Sequence, residues 1–416
     1  MNQVRYSQNG NILILSKVVL ILMIFGLFTI DNQGVLNMTS VLAVVLSIYY
    51  IKANKIDIKN IVLDLMQKRK LLLLFTLWCV FCIVFFTYED KSLDAFIILI
   101  KDWRYPLVMM LFFGAFSKHI TSLRQFFVIG AILTLSYIVL VVPILRIIKN
   151  NPQELYLQLR YGFAFYVVML FPFVLTGAIL FKNHFLKTVL YIISALAFVF
   201  LSYTGSRAGI LAVVVEIFLI SFLVGKTIKR FMAAACGLLV IMVVLLIGAY
   251  NTVGQVKMKV DQTLQMNNVT SSRDEIILDR FPLVMENINN AVFGIGYGNS
   301  TYNQYLEDHN APKNGGVYSE RNNGYNIDEP FFIIILYNVG VIGLFLFTAA
   351  FFITFKDIYI RARSQKDIFS ISLLCSLVGY ILVYCLFEKM FINVFLLYSV
   401  AILMLYDKNE SGKITN

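Results

Sequence analysis

The chain has 416 residues, 59% of them hydrophobic and 14% charged, with a formal net charge of +11 and a mean hydropathy of +0.77. Soluble domains carry about 45–50% apolar and about 25% charged residues, so a soluble globular enzyme, a disordered chain and a disulfide scaffold are excluded. Lipid is the expected solvent, and Lys and Arg in membrane loops account for the charge; the basic-aromatic pattern of a nucleic-acid module is absent, so no nucleic-acid partner is expected.

Apolar runs fall near 12–30, 35–51, 71–87, 96–116, 126–148, 161–181, 189–205, 208–224, 231–250, 330–355, 369–387 and 391–406. A membrane helix needs about 20 apolar residues, so the pattern predicts an all-α polytopic protein with about twelve crossings. The first run has no cleavage signal after it and reads as an uncleaved membrane helix. With the N-terminus inside, the inner segments hold 20 Lys and Arg and the short outer loops 5, which places both termini in the cytoplasm. Three regions follow: helices 1–9 over 1–250, a large outer loop with amphipathic helices over 251–329, and helices 10–12 with a cytoplasmic tail over 330–416.

The loop is the anomaly. It carries six basic and ten acidic residues, and connections this long are usually functional or disordered. Any anion site in it must be built from particular arginines. No Walker motif is present, which argues against ATP-driven pumping by this chain.

In chain order, the fourth run is interrupted by Lys101, Asp102 and Arg104, and Glu216 sits in the middle of the eighth. Charges inside a bilayer face one another or a cavity. Glu216 is expected to pair with Lys17, Lys101 or Arg104, or these groups line a polar cavity for substrate or a proton path. Cys79 and Cys82 form a CxxC inside an apolar run with no nearby His, and read as small lipid-compatible side chains. The three histidines are too scattered for a metal site.

Arg160 stands at the outer end of the sixth run, before Tyr161-Gly162-Phe163. Thr204-Gly205-Ser206-Arg207-Ala208-Gly209 joins two runs by a tight turn at the same face. A helix beginning there aims its free amides and positive dipole end outward, and the Arg207 guanidinium completes a site suited to a diphosphate. An arginine snorkelling to the interface is the plainer alternative for both.

In the loop, Ser272-Arg273-Asp274-Glu275 reads as a capping box, followed by apolar residues at helical spacing. Arg273 and Arg280, seven apart, share one face, and Pro282 is expected to kink or shorten that helix. Phe293-Gly294-Ile295-Gly296-Tyr297-Gly298 is a turn that lets backbone approach a ligand; alone it is a weak signal. Tyr297, Tyr302, Tyr305, Tyr318 and Tyr325 are candidates for stacking on sugar faces. Asp328-Glu329-Pro330, where the chain returns to the membrane, offers a general base or simply a helix cap.

The Thr-Gly-Ser-Arg-Ala-Gly turn, the long outer loop with Arg273 and Phe-Gly-Ile-Gly-Tyr-Gly, and the returning helix with Gly340-Val341-Ile342-Gly343 occur in that order. Together they resemble the O-antigen polymerase and O-antigen ligase family of bacterial polysaccharide assembly, over roughly residues 150–350. The resemblance implies a GT-C-like helical fold in the bacterial inner membrane and glycans carried on undecaprenyl diphosphate. It implies no metal, no cofactor and no nucleotide sugar. A chain-length regulator and a flippase are the partners it implies besides membrane lipid. Arg207 matches the family's turn arginine, Arg160 the arginine before the sixth span and Arg273 the arginine starting the loop helix; Arg280 has no firm counterpart.

Ligases of the family carry a His-Asn pair shortly before the first glycine of the returning motif. Here Glu329-Pro330 occupies that place, and His309-Asn310 lies far upstream. The expectation is therefore a metal-independent polysaccharide polymerase. Arg207 would stabilise the leaving diphosphate, Glu329 or Asp328 would assist the acceptor hydroxyl, and Arg160, Arg273, Arg280, Arg104 and Tyr297 would bind substrate. A ligase of the same family and a lipid-linked oligosaccharide flippase are the alternatives.

Overall fold

The structure, a computed structural model, describes residues 2–29, 33–57, 69–89, 91–149, 152–225, 273–313 and 330–388 continuously, with isolated positions elsewhere. Asp328 and Glu329, and most of the expected runs 231–250 and 391–406, lie outside the described residues. Among the described residues every regular element is helical.

The helices are α1 (Asn2–Leu27), α2 (Gln33–Asn54), α3 (Lys70–Phe86), α4 (Ser92–Ala115), α5 (Ile120–Ser136), α6 (Val142–Lys149), α7 (Pro152–Leu180), α8 (His184–Tyr203) and α9 (Arg207–Val224). The loop segment supplies α10 (Arg273–Met285), α11 (Ile288–Phe293) and α12 (Asn299–Asp308), and the chain returns through α13 (Phe331–Gln365) and α14 (Ile368–Leu377). A π-helical turn, Tyr137–Val141, joins α5 to α6, and another, Val378–Val383, extends α14.

Eight helices among the described residues are long and apolar enough to cross a membrane, and they mark a multi-pass membrane protein. Two of the twelve expected crossings are described but fall short. α3 is apolar but has only 17 residues, about 25 Å at 1.5 Å per residue. α4 has 24 residues but carries Lys101, Asp102 and Arg104, whose desolvation cost sets it apart from the apolar spans.

Enclosure separates centre from periphery. In the span Phe163–Leu180 of α7, 83% of residues are buried, against 33% in Gly10–Leu27 of α1. α7 packs on α8, α14, α5 and α9. Pro172 interrupts its backbone ladder. Hydroxyls from α14 bond to carbonyls in that region: Ser372 Oγ donates to Pro172 O at 3.0 Å and Ser376 Oγ to Met169 O at 2.7 Å.

A second group of helices carries the loop segment. α3 packs along α13, and α11 packs on both. At the opposite end of this pair, Arg69 meets Asp357 at 2.6 Å. α2 and α4 run parallel: Asn37 meets Arg104 near one end, and Tyr50 meets Phe116 and His119 near the other.

Candidate functional site

The loop segment is seated in a break in α13. Gly340 has φ 68° and ψ −174°, so the helix stops and restarts there. Glycine tolerates this backbone because it lacks a Cβ; a Cβ at Gly340 would also run into the Val292 carbonyl. Residues 293–298 fill the notch. Ile295 N–H donates to Tyr337 O at 2.7 Å, and the Trp78 indole N–H of α3 donates to Val339 O at 2.9 Å. Gly298 N–H donates to Asn338 Oδ1 at 3.3 Å, and Tyr88 N–H to Ile295 O at 3.0 Å. The rings of Phe86 and Phe293 stack at 3.9 Å.

The Phe-Gly-Ile-Gly-Tyr-Gly turn packs against protein on several sides. Its glycines do permit close backbone approach, with φ of 81°, 122° and 103° at Gly294, Gly296 and Gly298. At Gly294 what approaches is the backbone of α13; Gly296 lies against Thr87 and Thr301, and Gly298 against Ile98 of α4.

Tyr297 points from the turn towards α4, where its hydroxyl donates to Asp102 Oδ2 at 2.7 Å. Burial, with Asp102 adding to it, holds this phenol well above the ordinary tyrosine range, so it remains a donor. Arg104, two residues on, lies about 200° around the helix. Its guanidinium meets Asn37 of α2 and the Tyr105 hydroxyl, away from the loop.

Arg280 is the buried cation of the loop segment, with 0% of its surface exposed. Its Nη1 lies 3.4 Å from the Tyr302 hydroxyl, and its guanidinium 5.8 Å from that ring. Tyr302 stacks on Tyr337 of α13 at 4.6 Å. Val284, Ile295, Tyr305, Leu306 and Ile333 complete the compartment. Burial raises the Tyr305 and Tyr325 phenols. Pro282 lies inside α10, which continues to Met285; Arg273 and Arg280 share this helix as expected.

At its open edge the compartment is polar. Tyr88 donates to Asp308 Oδ2 at 2.9 Å, a bond that raises the Tyr88 phenol. Lys91 Nζ donates to Gln304 Oε1 at 3.2 Å, and His309 stacks on Tyr305 at 4.0 Å. Tyr297, Tyr302 and Tyr305 are buried. Their rings and hydroxyls are committed to protein partners, so they do not present free faces to a sugar. Tyr318 lies outside the described residues.

Arg207 opens α9 and is half-buried. Gly205, at φ 64°, forms the predicted tight turn. The Ser206 hydroxyl accepts from Gly209 N–H at 3.2 Å, so one of the helix-end amides expected to face an anion is already capped. α9 packs on α7, α8 and the α14 extension, whereas the loop helices pack on α3, α4 and α13. Arg160 lies within α7, less than one turn before its buried stretch at Phe163, and Arg273 is the first residue of α10; their side chains lie outside the described set.

Glu216 is fully buried in α9, facing Gly379 of the π-helical turn, where any side chain would overlap its carboxylate. Among the described residues neither oxygen has a hydrogen-bond partner. The expected pairings are not made: Arg104 is held by Asn37, and Lys17 lies over the Phe126 ring at 4.9 Å. Cys79, Cys82, Cys375 and Cys385 are free thiols. Among the described residues no cluster of three His, Cys, Asp or Glu side chains is arranged to hold a metal ion.

Sequence reasoning missed Asp102 as the partner of Tyr297, and Trp78 and Asn338 as the lining of the notch. The only signal was Gly340 interrupting an apolar run. The chain matches no protein-family model, and no characterised protein matches it in sequence.

Proposed function

We propose that this chain is a polysaccharide polymerase of the O-antigen or capsular type. It moves a growing glycan from undecaprenyl diphosphate onto an incoming lipid-linked repeat unit, without metal. In this reading the loop segment lies outside the inner membrane, and both termini are cytoplasmic. The observation that carries the reading is Arg280, a guanidinium held in a tyrosine-walled compartment seated on membrane helices, which meets a diphosphate once the compartment opens to substrate. A preorganised cation in such surroundings stabilises charge developing on a leaving diphosphate. Arg207 and Arg273 supply further positive charge in this scheme, and Glu329 or Asp328 takes the acceptor's proton.

The test is reconstitution in liposomes with a synthetic lipid-linked repeat. Polymer ladders are expected from wild type. Arg280→Lys is expected to retain part of the activity, and Arg207→Ala and Arg280→Ala to yield none while still inserting. Full-length polymer from both alanine variants, or transbilayer movement of the repeat without extension, defeats the reading; the second outcome favours a flippase.

A further inference from the structure

A second cationic place lies outside the loop compartment. On α4, Ile100 (54% exposed) and Leu107 (48%) lie on the outward face, and the exposed Lys101 and Arg104 sit among them. On α2, Met38 (67%), Val45 (57%) and Ile48 (42%) form the adjoining apolar stripe. Charged side chains on such a surface are costly unless a partner neutralises them. Asp102, the nearest acid in sequence, is turned to the other side of α4 by its bond with Tyr297.

Arg104 is not a freely snorkelling chain. Its guanidinium lies 4.4 Å from the Tyr105 ring and meets both Asn37 Oδ1 and the Tyr105 hydroxyl. The Tyr105 hydroxyl itself donates to Asn37 Oδ1 at 3.1 Å. The Nη2 side of the fork faces Asn37 and Tyr105, and Lys101 lies one turn away on the same face. Asn37 stands one turn inside the end of α2 at Gln33. From Met38 to Ile48 the apolar stripe runs ten residues, about 15 Å, which is half of the ~30 Å hydrocarbon thickness. A phosphate at Arg104 would therefore leave its acyl chains lying along the stripe to the bilayer midplane.

We propose that Asn37, Lys101, Arg104 and Tyr105 form a binding site for one anionic phospholipid in the leaflet on the loop side. Arg104 takes the phosphate through its fork, and Lys101 adds a compact second charge. The site reassigns Arg104 from the glycan-transfer machinery to the lipid boundary. It stands or falls independently of the polymerase reading.

The experiment uses the full chain in nanodiscs of phosphatidylcholine and phosphatidylglycerol, released into mild detergent and weighed by native mass spectrometry. Wild type is expected to retain one phosphatidylglycerol in preference to phosphatidylcholine. Retention should fall about tenfold or more in Arg104→Gln, the scale of one lost charge-assisted contact. Arg104→Lys should lie between, and Lys118→Gln, in the turn just past the far end of α4, should match wild type. An unchanged thermal transition in Arg104→Lys separates lipid loss from misfolding. Retention in Arg104→Gln equal to wild type overturns the proposal. So does equal retention of phosphatidylcholine, or displacement of the phospholipid by equimolar undecaprenyl diphosphate, which would assign the site to the carrier.

Discussion

The α7–α14 core and the α13 notch hold their parts together by different means. The core is apolar side-chain packing with two interhelical hydroxyl bonds, from Ser372 and Ser376. The notch is held through main-chain groups: the Ile295 N–H bonds the Tyr337 carbonyl, the Gly298 N–H bonds the Asn338 side chain, and the Trp78 indole bonds the Val339 carbonyl. Packing tolerates conservative exchange of side chains. A backbone interlock that depends on missing Cβ atoms does not. The notch is therefore the region with less latitude in sequence.

The largest expected effect tests this directly. Gly340→Ala sets a Cβ against the Val292 carbonyl in a left-handed backbone, and should cost about 3 kcal/mol or more from strain and overpacking. Limited proteolysis should then cut within 273–313 while the membrane helices stay intact. If the segment stays protected, the interlock is not what holds it.

Tyr297→Phe comes next, at about 1–3 kcal/mol, because it leaves the Asp102 carboxylate without this donor. The phenol is raised in the folded chain, so its contribution is complete below the ordinary tyrosine value, about 10, and is lost as pH rises through the raised one. Thermal unfolding of wild type should therefore weaken at alkaline pH more steeply than that of Tyr297→Phe. Parallel curves would dismiss the Tyr297–Asp102 bond as a clamp.

Trp78→Phe removes the indole donor to Val339 O and should cost about 1 kcal/mol, read as a lowered melting temperature. Ser376→Ala is expected to cost least, about 0.6 kcal/mol, the mean for hydroxyl bonds between membrane helices. A larger loss at Ser376 than at Trp78 would invert the comparison between core and notch.

Hydropathy made the eight apolar spans legible, because lipid demands long uninterrupted runs. Periodicity also placed Arg273 and Arg280 on one helix. The break at Gly340 was not legible: its cause is the neighbour at Val292, about fifty residues away in sequence. Tyrosine is equally at home on a sugar or in a half-polar core, so the sequence left Tyr297, Tyr302 and Tyr305 open and only packing decided them. The surroundings of Glu216 depended on Gly379, a residue with no side chain to betray it.

The notch also constrains synthesis. The acceptors for Ile295 and Gly298 lie at Tyr337 and Asn338, on a helix translated afterwards. At ~5–20 residues per second the ribosome needs seconds to deliver it. Throughout that interval the Ile295 and Gly298 amides lack these native acceptors. Assembly therefore runs backwards here: the loop segment waits for a later helix, and nascent chains stalled before Gly340 should leave it open to protease.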